Sequence, residues 1–379
     1  MKTKLCKLLS HIYKFLRRKL RILKRVWIAY RWWLRQKNDC KNASKNWGYK
    51  NFPLDLPVIP LREMYKLRTE IEPFFYHYNP SILFKSNRLY ICWRVSNYKG
   101  SPNVNWAKEN VLSKSAFDPK TFRNAIALGE ITDFDISAHS DIENQRLANE
   151  LVEFAPRLES ITSNTDVRNV STLIDPKFLG NDIDLILGNF ESWTESSNGK
   201  YSVKQSMGVL NLKEKSQCVL IPYQESSGEK NWSYVESTED SFKFLRSSSP
   251  HVVLSVQKSL PYTVVNVELE SSIKPFANGG SNFVLVDDSY FLRIARYRFS
   301  SKGRFNCHIN IVIQHDLNLI EISRSKPFIF QVFGYEICNG FQLHGGEFVF
   351  SWGENDESMF LGSIEKRTFL HWLEQMWEI

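Results

Sequence analysis

The sequence predicts an all-β protein, a five-bladed β-propeller, and three observations lead to that fold. Apolar, strand-like runs flank Gly-Gly or Asp-Asp turns, as in a β-hairpin. The hairpin pattern occurs five times along the chain, with second strands beginning near Leu89, Leu185, Phe242, Tyr290 and Phe348. The second strands are separated by 96, 57, 48 and 58 residues. These intervals are close to the length of a propeller blade if the first interval contains an insertion. A β-sandwich with coincidental hairpins is the alternative.

The clearest copy of the hairpin runs from Tyr335 to Asp356, with Gly345 and Gly346 at its turn. Glycine tolerates positive φ, and the apolar runs on both sides make two paired strands the simplest interpretation. The other copies are Tyr78 to Arg94, Ile174 to Leu187, Glu229 to Leu245, and Asn278 to Ile294.

Length and composition fit one propeller with appendages, because 379 residues are enough to bury a sizeable core. The aromatic content of 14% suits both β-structure and a sugar-binding surface. Six cysteines are scattered without CxxC spacing, which favours a reducing compartment over a disulfide scaffold or a zinc site.

The basic character of the chain is confined to its N-terminus. Residues 1–40 hold 13 of the 49 basic residues and one acid, whereas the remainder holds 36 basic and 40 acidic residues. Apolar residues recur there at three- and four-residue steps, which predicts a basic amphipathic helix. Its uncharged runs are too short for a membrane span or a secretory signal.

We expect that helix to lie on an anionic membrane surface, with the protein cytoplasmic and peripheral to the inner face of the membrane. A solvated or partner-packed helix is the first alternative, and nucleic-acid binding is the least favoured. The predicted membrane-binding residues are Arg17, Arg18, Arg21, Lys24, Arg25, Trp27, Trp32 and Trp33.

Four further segments complete the predicted organisation. Residues 41–75 form a connector, and residues 76–365 form the propeller, with a partly helical insertion at about 101–161. Residues 366–379 form a short helix whose apolar stripe we expect to serve packing. The stripe consists of Phe369, Trp372, Leu373, Met376 and Trp377.

Several chemical signatures are missing from the sequence: there is no P-loop, no dinucleotide-binding glycine motif, no HExxH and no GxSxG. We therefore predict no cofactor and no metal. Asp182-Ile183-Asp184 has the DxD form that holds a metal on a nucleotide sugar, but its position before a strand favours ordinary turn chemistry.

The candidate functional residues lie at equivalent ends of the predicted inner strands. In a propeller the strands radiate from a central channel, so such residues converge at one mouth. Carboxylates, amides and cations gathered there can hold hydroxyl groups and stabilise a leaving group. The residues are Asn79, Arg94, Asn97, Asp175, Lys177, Lys230, Asn231, Arg296, Glu336 and Asp356.

Short motifs across residues 75–365 resemble those of glycoside hydrolase family 130, the β-mannoside phosphorylases and related five-bladed enzymes. Ile174-Asp175-Pro176-Lys177 resembles the family's Glu-Asp-Pro-Arg segment, and Lys230-Asn231 resembles its Lys-Asn pair. Trp352-Gly353-Glu354-Asn355-Asp356 is similar to its strand ending in Gly-x-x-Asp. Four further motifs resemble those of an offshoot of this superfamily that is often found alongside glycosyltransferases. They are Asn79-Pro80-Ser81-Ile82, Arg94-Val95-Ser96-Asn97-Tyr98, Glu229-Lys230-Asn231-Trp232 and Ser249-Pro250-His251.

The resemblance implies roles for individual residues. Asp175 would be the general acid of an inverting reaction at an anomeric carbon, and Asp356 would bind sugar hydroxyls. Arg94 would contact the sugar, Lys230 and Asn231 would line the phosphate or donor side, and His251 is added to the candidate binding residues.

We therefore expect an enzyme that transfers a hexosyl unit, above all mannosyl, in cell-surface glycan synthesis. Its partners would be a carbohydrate substrate and a sugar phosphate or nucleotide-sugar donor. The alternatives are a β-mannoside phosphorylase or hydrolase, and a non-catalytic glycan-binding propeller.

Overall fold

The computed structural model describes residues 56–67, 76–86, 88–96, 124–131, 148–152, 169–195, 201–213, 217–221, 231–248, 251–270, 279–301, 305–331, 336–354 and 358–377. The chain divides into two units, Met1–Asp55 with Phe299–Ser301, and Leu56–Arg298 with Lys302–Ile379. The predicted basic helix belongs to the first unit and lies outside the described residues. The architecture below is that of the second unit.

Twenty strands and one helix occur among the described residues. In chain order the strands are β1 (Glu63–Leu67), β2 (Tyr76–Lys85), β3 (Arg88–Ser96), β4 (Asn124–Ile131), β5 (Ala148–Val152), β6 (Asn169–Leu179), β7 (Asp182–Glu195), β8 (Tyr201–Asn211), β9 (Gln217–Leu220), β10 (Ser233–Ser237), β11 (Ser241–Ser248), β12 (His251–Gln257), β13 (Val264–Glu270), β14 (Val284–Val286), β15 (Tyr290–Ser301), β16 (Phe305–His315), β17 (Glu321–Arg324), β18 (Glu336–His344), β19 (Glu347–Glu354) and β20 (Ser358–Glu365).

These strands form five four-stranded sheets, which confirms the predicted five-bladed β-propeller. Four blades take consecutive strands, β2 to β5, β6 to β9, β10 to β13 and β14 to β17. The fifth has the order β1-β20-β19-β18. β2 packs against both β6 and β18, so the first strands of neighbouring blades lie side by side, as the strands that surround a propeller axis do.

The fifth blade closes the ring by combining the two ends of the propeller. β1 pairs antiparallel with β20, with Glu63 opposite Ser363 and Leu67 opposite Met359. The predicted connector over residues 41–75 therefore contains the outermost strand of the last blade. Pairing an early strand with late ones holds the two ends of the propeller in one sheet.

The hairpin turns that predicted the blades have the expected geometry. Gly345 and Gly346 have φ values of 57° and 81°, and Asp287 and Asp288 have 49° and 52°. Two consecutive residues with positive φ form the tight turn whose twist matches that of the flanking strands. Glycine adopts it without strain, and aspartate is among the few other residues that tolerate it.

The structure describes two strands within the predicted partly helical insertion at about 101–161, and the rest of that segment lies outside the described residues. Residues 124–131 form β4 and residues 148–152 form β5, and these two strands complete the first blade. The helical interpretation rested on apolar residues spaced three to five apart near Leu151. β5 is a five-residue outer strand with the sequence Ala-Asn-Glu-Leu-Val, which does not alternate between apolar and polar residues as a half-buried strand does.

The predicted C-terminal helix is confirmed as α1 (Lys366–Met376). Phe369 is fully buried, with its ring 4.8 Å from that of Phe348 and 5.5 Å from that of Phe350. Leu373 and Met376 join the same core. The apolar stripe therefore packs the helix on the last blade. Within the described part of the chain, no helix has the length and apolar character needed to cross a membrane.

Candidate functional site

Three polar residues, two within inner strands and one just before the inner strand β10, share the same uncommon backbone conformation. Asn79, Asp175 and Asn231 have φ values of 55°, 51° and 63°. The first two lie at bulges, where the pairing register shifts between Tyr78 and Ser81 in β2 and between Ile174 and Lys177 in β6. Such conformations are strained for residues other than glycine, and their repetition marks a candidate functional site.

The Asp175 carboxylate lies at the centre of this group. The Asn79 side chain donates a 2.7 Å hydrogen bond from Nδ2 to Asp175 Oδ1. Asn189, on β7, donates from Nδ2 to Asp175 Oδ2 at 3.4 Å. Amides from two blades therefore hold both oxygens of one carboxylate.

The hydrogen bonds continue into the next two blades. The backbone N–H of Asn231 donates to Asn189 Oδ1 at 2.8 Å, and Asn189 Nδ2 lies 3.5 Å from Asn231 Oδ1. Arg296, on β15, donates from Nη2 to Asn231 Oδ1 at 3.3 Å. On the other side, Asn339 of β18 donates to the Asn79 carbonyl at 3.3 Å. Side chains from all five blades thus meet at this end of the inner strands.

Two buried cations lie beside the carboxylate. Lys177 is 2% exposed, and its ammonium donates to the Trp232 carbonyl at 2.9 Å. Burial, with the charge of Arg296 as the second cause, lowers the pKa of Lys177 to about 7, and the nearby Asp175 opposes the shift. Arg296 is itself 4% exposed. The site therefore combines one carboxylate with cationic groups in surroundings that exclude water, where charges interact strongly.

Arg94 and Glu336 are buried on the first and fifth blades. The Arg94 guanidinium lies 5.0 Å from the centre of the Tyr78 ring. Tyr78 is the residue of β2 that pairs with Arg94 of β3. The Glu336 carboxylate accepts backbone hydrogen bonds from Phe330 and Gln331, each at 2.8 Å, and a third from an amide side chain at 3.3 Å. Glu336 therefore anchors the segment before β18.

The structure brings together five of the predicted site residues: Asn79, Asp175, Lys177, Asn231 and Arg296. Asn97, Lys230, Asp356 and the predicted membrane-binding residues lie outside the described residues. The backbone of His251 begins β12, where it pairs with Ser248 and Glu270.

The DxD sequence follows the turn at Gly180 and Asn181 and begins β7. The backbone N–H of Asp184 donates to Asp182 Oδ1 at 2.9 Å, and Lys213 forms an ion pair with Asp184 at 2.7 Å. Among the side chains that the structure describes, none form a group of three or more His, Cys, Asp or Glu suited to a metal ion.

Sequence reasoning missed Asn189 and Asn339. Asn189 interrupts the apolar run Leu185 to Phe190, and β7 pairs it with Ile174, the neighbour of Asp175. A single amide inside an otherwise apolar strand is a signal of a buried hydrogen-bonded group, because an amide buried without partners is unfavourable. Its register beside Asp175 could not be known without the fold.

A cavity of about 390 Å³ lies further along the inner strands, beyond the residues with positive φ. Its amide side chains connect the blades: Asn282 accepts from the Tyr234 backbone and donates to the Phe178 carbonyl, and Gln342 accepts from the Phe84 backbone. These amides are therefore engaged in holding the propeller together.

The fold and site define a five-bladed propeller with an acid-and-cation site at one end of its inner strands. No family model matches the chain, and no curated protein matches its sequence. Solved structures do match. A β-1,2-mannobiose phosphorylase from Listeria innocua is 14% identical, with a TM-score of 0.51 over 83% of this chain and 99% of that one.

Two further solved structures are similar. A structure from the GH130 family of mannoside phosphorylases is 11% identical, with a TM-score of 0.47 over 83% of this chain and 92% of that one. A GDP-Man-dependent mannosyltransferase from Leishmania mexicana is 12% identical, with a TM-score of 0.47 over 80% of this chain and 90% of that one. At these identities the likeness concerns the fold alone, and the β-1,2-mannobiose phosphorylase shares it over most of its length.

Proposed function

We propose that this protein is a carbohydrate-active enzyme that transfers a mannosyl unit with inversion at the anomeric carbon, in cell-surface glycan synthesis. One observation carries the proposal. Asp175 is held by amides from two blades, on the strand that also supplies Lys177, and Arg296 of the fourth blade joins the same hydrogen-bonded group. The GH130-like fold supports a sugar as the substrate.

Substitution at an anomeric carbon needs these two kinds of group. When a glycoside is cleaved, the C1–O bond breaks and a carboxylic acid gives its proton to the departing oxygen. In synthesis the same carboxylate accepts the proton of the acceptor hydroxyl as that oxygen bonds to C1. Asp175 is suited to this step, because both of its oxygens are already fixed by hydrogen bonds.

The cations suit the other half of the reaction. A sugar phosphate or nucleotide-sugar donor releases a phosphate that takes the electron pair of the broken C1–O bond. Lys177 and Arg296 supply positive charge beside Asp175, and buried cations stabilise such developing negative charge. The same charges favour a second candidate, a β-mannoside phosphorylase in which inorganic phosphate attacks C1.

The test is to incubate the full chain with GDP-mannose or mannose 1-phosphate and mannoside acceptors, and to repeat the reaction with Asp175→Asn. The matched control is Asp182→Asn, because Asp182 is the first residue of β7 and its side chain accepts from the Asp184 backbone. We expect the control to retain turnover and Asp175→Asn to lose at least about 100-fold, as is typical when an acid–base group is removed. Equal turnover by all three proteins would remove Asp175 from the mechanism.

Phosphate dependence separates the two candidates. Release of mannose 1-phosphate from β-mannosides that requires inorganic phosphate would identify the phosphorylase, and release without phosphate would identify a hydrolase. Glycan binding with no turnover on any donor would identify a non-catalytic binding propeller and refute the proposed enzyme.

We also propose that the basic N-terminal segment holds the enzyme on the cytoplasmic face of an anionic membrane. The support is the sequence pattern of residues 1–40, since a synthetic enzyme for lipid-linked or surface glycans gains from this location. Flotation of the full chain with liposomes tests it. We expect the chain to float with vesicles that contain anionic lipid, and neutralising Arg17, Arg18 and Arg21 should reduce the floated fraction. If as much protein is recovered in the floating fraction without vesicles as with them, the proposal is contradicted.

A further inference from the structure

Asn189 connects the carboxylate of the site to its cations. It is 1% exposed, on the strand that pairs with β6. Its Oδ1 accepts from the Asn231 backbone N–H at 2.8 Å, and its Nδ2 faces Asp175 Oδ2 at 3.4 Å and Asn231 Oδ1 at 3.5 Å. One side chain therefore contacts two of the three residues with positive φ.

The orientation of the Asn189 amide follows from the chemistry of its neighbours. A backbone N–H only donates, so the atom 2.8 Å from the Asn231 nitrogen has to be the amide oxygen. The amide nitrogen is then directed toward Asp175 and Asn231 Oδ1. The guanidinium of Arg296 also only donates, which assigns the Asn231 oxygen that it contacts.

These assignments give the hydrogen bonds one direction. The Asn231 backbone N–H donates to Asn189 Oδ1, and the same Asn189 amide donates from Nδ2 to Asp175 Oδ2. Two hydrogen bonds made through one amide group polarise each other, and the second ends on a carboxylate, while Arg296 holds the Asn231 side chain. With Asn79 donating to the other oxygen, both Asp175 oxygens act as acceptors, as those of an ionised carboxylate do.

We propose that Asn189 is a positioning residue that fixes the plane of the Asp175 carboxylate for proton transfer at the sugar. The inference rests on the proposed function, since it presumes that Asp175 handles the proton. Asn189 acts through Asp175 and needs no contact with substrate. Because Asn189 is the amide that donates to Asp175 Oδ2, its loss leaves the carboxylate held by Asn79 alone at Oδ1, and the carboxylate gains rotational freedom.

A double-mutant cycle between Asn189→Ala and Asp175→Asn tests the inference by kinetics. We expect Asn189→Ala to lower kcat about 10- to 100-fold, because displacing a reacting group by about 1 Å has an effect of that order. KM should change by less than about threefold, since binding contacts remain. In the Asp175→Asn background, Asn189→Ala should cause little further loss. An unchanged kcat, or equal fold-losses in both backgrounds, would overturn the proposal.

A second substitution distinguishes positioning from packing. Asn189→Asp keeps the size of the side chain but places a carboxylate oxygen against Asp175. At neutral pH two adjacent carboxylates repel each other, so we expect a larger loss of kcat than with Asn189→Ala. Activity relative to wild type should partly recover at lower pH, where the introduced group is protonated and donates again. Identical, pH-independent losses in both variants would indicate packing alone.

Failure of the proposed function is separable from failure of this inference. If the wild-type chain turns over no donor or mannoside, the wild type, Asn189→Ala, Asp175→Asn and the double variant are compared by chemical unfolding. Non-additive losses for Asn189→Ala and Asp175→Asn would still support the coupling, and additive losses would refute it. Asn310→Ala is the matched control, because Asn310 is a buried amide that donates to Glu336, and its loss should add to that of Asp175→Asn.

Discussion

Replacing the buried Lys177 with methionine should make the stability of the protein less dependent on pH. The ammonium has 2% exposure and one hydrogen bond, to the Trp232 carbonyl. Burial, with Arg296 as the second cause, lowers the pKa of Lys177 to about 7 from its ordinary value of 10.5. Methionine has a similar length and no charge, so Lys177→Met removes the titration while filling the site.

The sign follows from proton binding in the two states. Between pH 7 and 10.5 the unfolded chain binds more protons at Lys177 than the folded chain, so stability rises with pH. The loss of stability caused by burying the protonated Lys177 is complete below pH 7 and absent above pH 10.5. A pKa of about 7 instead of 10.5 corresponds to about 5 kcal/mol in total. About 2 kcal/mol of this should be recovered between pH 7 and pH 9.

The assay is chemical unfolding of the wild type, Lys177→Met and Lys213→Met at pH 7 and pH 9. Lys213 is 72% exposed and pairs with Asp184 at the surface, so its variant should follow the wild type between these pH values. We expect the free energy of unfolding of the wild type to rise by about 2 kcal/mol more than that of Lys177→Met. Parallel changes in the wild type and Lys177→Met would refute the reasoning.

Three further substitutions test the packing and the electrostatics of the propeller. Phe369→Ala should lower the free energy of unfolding by about 3–5 kcal/mol, whereas His371→Ala, at an exposed position, should lower it by about 0.5 kcal/mol or less. Similar small losses in both variants would show that the packing of α1 is dispensable. Gly353→Ala places a Cβ 2.6 Å from the Asn79 nitrogen and should destabilise the protein by about 1–3 kcal/mol and slow turnover, so wild-type values for both would contradict the close approach. Burial lowers the pKa of His77 to about 4, so stability should fall as pH drops from about 6.5 to 4, less so in His77→Gln; equal acid sensitivity would exclude His77 as its source.

Features that lie close together in the sequence predicted the blades. A turn such as Gly345-Gly346 and the apolar strands on either side of it occupy fewer than 20 consecutive residues, and their conformation depends on local sterics. β1 could not be predicted in this way. Its five residues pair with β20 at the other end of the propeller, and nothing within a short segment indicates so distant a partner.

The candidate site likewise contains residues that short motifs predict and residues that only the fold reveals. Asp175 and Asn231 could be selected because each belongs to a short motif. Asn189 lies within a strand, where only the register of β6 against β7 reveals that it reaches Asp175. Glu336 was predicted to bind substrate from its position, but whether its oxygens are occupied depends on the path of the backbone at Phe330 and Gln331.

The repeated positive φ explains why proline follows two of the three residues at this site. A bulge in an inner strand leaves a backbone N–H without a partner in the sheet, and Pro80 and Pro176 have no N–H to lose. The Pro80 carbonyl is satisfied by the Ser351 hydroxyl of the neighbouring blade at 2.8 Å.

Glycines on adjoining blades make room for the bulged residues. A Cβ on Gly279 would lie 1.8 Å from the Asn231 carbonyl oxygen, and one on Gly353 would lie 2.9 Å from Asn79 Oδ1. Strained conformations of about 1–3 kcal/mol each persist only where the surroundings impose them. At Asn79 and Asn231 the surroundings include a neighbouring blade that approaches too closely for any side chain larger than glycine. The packing between blades therefore determines the geometry around Asp175, and substitutions at these glycines should disturb the site although neither residue contributes a side chain to it.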